Sequence, residues 1–121
     1  MELPSKFTQA QVEGVPTYEF AEESKHDLKV MMACAEAELK NFYTNSGQIA
    51  PAPFFCERAT VLLSKMKRWT ETIKVAEAYL CALDEYKKNA TKHHAKVWLS
   101  PKVSKIKQRL AKAKIKTNPS L

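Results

Sequence analysis

Glycine is almost missing from this sequence. Gly14 and Gly47 are the only two among 121 residues, against an average usage of about 7%. Hairpins and bulges need residues at positive φ, which glycine supplies without steric cost, so this chain has few places to turn a β-strand. Glycine-rich phosphate loops are excluded outright. The two glycines lie 33 positions apart and form neither GxGxxG nor GxxxxGK[ST]. Helices must therefore supply the architecture. The length suits one domain with a real core. Hydrophobic and charged contents of 45% and 27% are those of a folded globular chain.

The spacing of apolar residues locates the helices. Residues 1–20 contain Pro4, Gly14 and Pro16 without sustained periodicity. They read as an extended N-terminal arm with a short turn near Thr8–Val12, and Phe7, Tyr18 and Phe20 as pins onto the body. From Ala21 to Asn45, the residues Leu28, Met31, Met32, Ala35, Leu39 and Phe42 recur at helical steps. Glu22 and Glu23 are expected in the first turn of this helix. Asn45-Ser46-Gly47 is a stop signal, with Gly47 as the left-handed cap. After the IAPAP connector, a second helix is expected from Pro53 to Lys67 and a third from Trp69 or Thr70 to Asn89. Thr91–Leu99 reads as further helix with Ala95, Val97 and Trp98 inward. Ser100-Pro101 restarts the chain as N-cap and first helical residue. The last helix, Pro101–Lys116, carries Val103, Ile106, Leu110 and Ala113 on one seam. The expected fold is all-α: four to five helices in antiparallel hairpins, one domain over residues 21–116, and a short tail at 117–121.

The stretch PFFCERATVLLSKMKRWTETIKVAEAYLCAL, from Pro53 to Leu83, resembles a single degenerate tetratricopeptide-type hairpin. Ala59 and Thr60 would hold the small positions of its first helix and Leu62 and Leu63 the bulky ones. Trp69 would open the second helix, followed by Thr72, Ala76 and Tyr79 at packing positions. Lys67 stands where the pattern usually has glycine, and Thr72 where it usually has alanine. The resemblance implies a binding scaffold and carries over no catalytic residue.

Charge is segregated along the chain. Residues 1–85 are mildly acidic, with nine Lys/Arg against thirteen Asp/Glu, whereas residues 86–121 hold eleven Lys/Arg and no acid. On the last helix Lys102, Lys105, Arg109, Lys112 and Lys116 form the candidate basic binding surface, joined by Lys107 and Lys114. Such a helix can be a solvated face complementing the acidic body, a phosphate-binding surface, or a contact for an acidic partner. Its lysine-rich, arginine-poor composition suits phosphate attraction more than base reading.

The remaining chemistry is sparse. Cys34, Cys56 and Cys81 have no CxxC spacing and read as reduced thiols buried on apolar helix faces. His93 and His94 are adjacent, so on a helix they diverge by about 100° and do not suit a common metal. Cys81 and Asp84 share a helix face without a nearby histidine, and no nucleophile–base–acid set is legible. No apolar run reaches membrane-spanning length. The N-terminus lacks the basic and apolar regions of a signal peptide, which makes the cytoplasm the expected compartment. These features predict a non-enzymatic helical binding module without cofactor or metal, an adaptor or inhibitor acting through protein–protein contact. The alternatives are a nucleic-acid-binding protein using the basic last helix, and an accessory protein of a phage or mobile element that inhibits a host nucleic-acid machine.

Overall fold

The first and last α-helices begin at side-chain N-caps, Asp27 and Ser100, and positive-φ residues follow the ends of the first two. The computed structural model describes residues 10–91 and 95–118. Among them the fold is an all-α bundle of α1 (Leu28–Thr44), α2 (Phe54–Lys65), α3 (Trp69–Asn89) and α4 (Pro101–Thr117), preceded by a two-stranded hairpin, β1 (Gln11–Val12) and β2 (Val15–Pro16). No helix is long and apolar enough to cross a membrane among the described residues.

The hairpin corrects the reading of an extended arm. Its turn lies at Glu13-Gly14; Thr8 and Gln9 of the turn expected near Thr8–Val12 lie outside the described residues, and Gln11–Val12 is strand. Both turn residues have positive φ, 50° and 80°, as a two-residue antiparallel turn requires, and Val12 faces Val15 across it. A short 3-10 turn, Thr17–Phe20, follows. Phe20 packs beside Met31, Cys34 and Ala35 as expected, whereas Tyr18 is exposed. Phe7 lies outside the described residues. The second tie between arm and body is polar: the Thr17 hydroxyl donates to Glu38 Oε1 at 2.6 Å.

α1 starts seven residues later than the periodicity suggests. Asp27 is its N-cap, and the Asp27 carboxylate accepts a hydrogen bond from the Val30 N–H at 3.1 Å. Glu22 and Glu23 thus precede the helix. Side-chain capping of an orphan N–H outweighs the helix propensity of Ala21–Glu23. At the other end Ser46 and Gly47 both adopt positive φ, and the Gly47 N–H donates to Phe42 O. A Cβ on Gly47 would lie 3.3 Å from Phe42 Cζ, so glycine there is required by backbone and space alike.

α2 and α3 form a hairpin through a Schellman turn. The Lys67 N–H donates to Ser64 O and the Arg68 N–H to Leu63 O. Lys67 takes the left-handed position with φ 56°, at a cost of about 1 kcal/mol relative to glycine. α3 stops at Asn89. Of the expected helix over Thr91–Leu99, residues 92–94 lie outside the described residues, and among the others only Val97–Leu99 is helical, as a 3-10 turn. Ala95 is exposed while Val97 and Trp98 are half-buried. The Ala95 carbonyl accepts the Tyr86 hydroxyl at 2.8 Å, which anchors this irregular segment. α4 starts as read, with the Ser100 hydroxyl accepting from the Lys102 N–H and Pro101 in the first turn.

α2 lies centrally and touches the other three helices. Phe42 near the end of α1 packs with Ala82 and Tyr86 near the end of α3, so α1 and α3 run in the same direction. α4 runs against α3, because Lys114 late in α4 reaches Glu77 early in α3. Val103 and Ile106 of α4 close the core over Cys56, Ala76, Tyr79 and Leu83. α1 meets α3 far less extensively than α2 meets either. That difference leaves a gap between them.

Candidate functional site

The five basic residues singled out on α4 recur at steps of three and four, which places them on one flank of the helix beside the buried seam. The structure ties three of them to the body. Arg109 Nη1 donates to Glu57 Oε2 at 2.9 Å; the side chains are 25% and 11% exposed, respectively. Lys102 Nζ sits 5.6 Å from the Phe54 ring centroid and Lys112 Nζ 5.8 Å from the Trp69 ring, both cation–π distances. Lys105 and Lys116 are exposed and make no ion pair among the described residues. On the opposite flank Lys114 pairs with Glu77 at 3.3 Å. Much of the basic stripe therefore fastens α4 to α2 and α3. His93 and His94 lie outside the described residues.

The gap between α1 and α3 is the other candidate. Met32, Ala35 and Leu39 form one wall, and Val75, Ala78 and Tyr79 the other. Cys56 of α2 and Ala52 of the connector complete the lining, around a cavity of about 220 Å³. Ala35, Ala52 and Ala78 present only methyl groups to it, so side chains do not fill the space that the separation of α1 and α3 leaves. Above it Leu39 and Phe42 close α1 against α3. Below it Met31, Cys34, Phe55 and Ala59 pack tightly. Glu36 and Lys74, both exposed, stand on the rims contributed by α1 and α3.

The polar atoms of the floor are already engaged. The Tyr79 hydroxyl donates to Pro51 O at 2.8 Å, and Cys56 Sγ points to Val75 O at 3.7 Å. Burial, reinforced by Glu57, pushes the Cys56 thiol well above its ordinary range, so it is an apolar sulfur at neutral pH rather than a nucleophile. Burial likewise pushes Cys34 up to about 11, with Glu38 adding to the effect. Glu38 itself titrates above the usual carboxylate range because it is buried, and the Thr17 hydrogen bond opposes that shift. The groove thus offers shape and apolar surface.

Cys81 departs from expectation, for it is exposed while Cys34 and Cys56 are buried. In the native protein at pH 8 an alkylating reagent should add once, at Cys81, and three times after denaturation. Mass spectrometry of intact protein reads the count, and three rapid native adducts would contradict the burial.

Comparison with protein-family models, curated proteins and solved structures found no match.

Proposed function

We propose that this protein is a non-catalytic binding module, an adaptor or inhibitor, that holds a segment of a partner protein between α1 and α3. The observation that carries this reading is the groove: an open apolar cavity of about 220 Å³ between two parallel helices, with charged side chains only at its rims. Sites that bury a ligand are concave and largely apolar, with few polar groups to fix orientation. The tetratricopeptide-like spacing of residues 53–83 supports the same reading, since that resemblance implies a binding scaffold. Binding of nucleic acid along α4 is less favoured, because three of the five residues of the basic stripe, Lys102, Arg109 and Lys112, are engaged with Phe54, Glu57 and Trp69 of the body.

The test is a comparison of three tagged proteins, each with and without nuclease treatment: wild type, Ala78→Trp, and the triple variant Lys105→Gln, Lys112→Gln, Lys116→Gln. Ala78 is exposed at the groove mouth, so the indole plugs the groove without entering the core. Proteins retained by wild type and by the triple variant, and lost from Ala78→Trp, are the expected result. Retention that depends on the lysines or vanishes with nuclease would refute the proposal.

A further inference from the structure

We propose, building on the protein-binding reading above, that the groove selects an amphipathic helix seating one aromatic side chain over Cys56 and Tyr79, with acidic residues along one edge of its apolar face and basic residues along the other. The size of the cavity sets the anchor. A cavity of roughly 150 Å³ holds a benzene ring, so about 220 Å³ takes one aromatic side chain with little to spare. The chemistry of the floor makes that anchor apolar at depth. The Tyr79 hydroxyl is spent on Pro51 O and the Cys56 thiol faces Val75 O. A polar tip there would be desolvated without a partner. The walls set the shape of the occupant: two helices running side by side form a trough along their axes, which suits a helix presenting anchors on one face.

The rims give the charge pattern. Glu36 and Lys74 are exposed on opposite walls, and neither is ion-paired among the described residues. Glu71, the acid one turn before Lys74, is held by Arg68 at 2.6 and 2.7 Å. Lys74 adds only a weaker Coulombic attraction to Glu71, so neither rim charge is closed in a direct ion pair among the described residues. A helix with edges of one sign satisfies one rim and meets a like charge at the other, whereas unlike edges satisfy both.

The probes are three labelled helical peptides of about fourteen residues, roughly four turns, with one central Trp. One has a Glu edge and a Lys edge, one has Lys on both, and one has Glu on both. Fluorescence anisotropy against the full chain reads affinity. The mixed peptide should bind about 1.5- to fivefold tighter than either other, a range set by exposed ion pairs, and the margin should shrink at high salt. Glu36→Lys should make the all-Glu peptide the tightest, and Lys74→Glu the all-Lys peptide. Trp→Ala in the peptide and Ala78→Trp in the protein should each abolish binding. Ala78-dependent binding that is equal for all three peptides would overturn the charge selection and leave the groove reading standing. No binding, or binding that Ala78→Trp leaves unchanged, would overturn both. A wild-type dimer that Ala78→Trp dissociates would give the groove to a second copy and also overturn the proposal.

Discussion

Leu63→Ala is expected to destabilise the protein by about 2–5 kcal/mol, the range for a buried leucine whose loss leaves a cavity. Leu63 is fully buried on α2, the helix in contact with all three others. Its backbone carbonyl also accepts the Arg68 N–H that closes the turn into α3. The side chain thus sits where the bundle is least able to collapse around a void. Small domains are stable by only about 5–15 kcal/mol, so the variant should lose a large part of its reserve. Urea denaturation followed by circular dichroism measures it. Leu99→Ala, at an exposed position, is the control and should change stability by less than about 0.5 kcal/mol.

The second large effect falls on a residue that sequence reasoning placed on the binding surface. Arg109→Met should cost about 2–3 kcal/mol. That is somewhat below the range for breaking a fully buried pair, because the Arg109 guanidinium keeps some contact with water. The loss comes from Glu57, which is buried and would be left without its partner. The double variant Glu57→Leu, Arg109→Met should therefore recover much of the stability, since an apolar pair carries no stranded charge. Lys105→Met and Lys116→Met should each stay within about 0.5 kcal/mol. Denaturation curves for the four variants decide the matter: equal, small losses for Arg109, Lys105 and Lys116 would show that the pair with Glu57 contributes nothing.

The parts of the fold written in local signals were legible. Ser100-Pro101 announces α4, and the turn between α2 and α3 lies between two apolar stripes that meet at Trp69. Signals that compete within a few residues misled. Glu22 and Glu23 look like a helix start, yet α1 begins later, where the Asp27 carboxylate accepts a hydrogen bond from the Val30 N–H. The hairpin went unread because each strand has two residues, too few to show alternation, and its turn is Glu-Gly rather than Asn-Gly.

The candidate site was less legible for a different reason. The Glu57–Arg109 bond joins residues 52 positions apart, and nothing near either residue marks the other as its partner. The groove depends on the separation of α1 and α3, which no pattern within either helix encodes. Ala35 reads as a small residue that permits close approach of helices. In the structure it lines the groove with Val75 and Ala78 of α3, Cys56 of α2 and Ala52 of the connector. The exposure of Cys81 has a similar origin: it shares a helix with the buried Ala82 and Leu83, and the placement of α1, which packs Phe42 on Ala82, and of α4, which packs Val103 and Ile106 on Leu83, decides which of these faces water.

The central claim is that the α1–α3 groove, not the basic flank of α4, meets the partner. A photo-crosslinking side chain placed at the groove-rim residue Lys74 in one protein and at Lys105 in another, irradiated in nuclease-treated extract, addresses it directly. The expected result is a covalent protein adduct from position 74, suppressed by excess unmodified protein, with none from position 105. Adducts from position 105 alone would contradict the account.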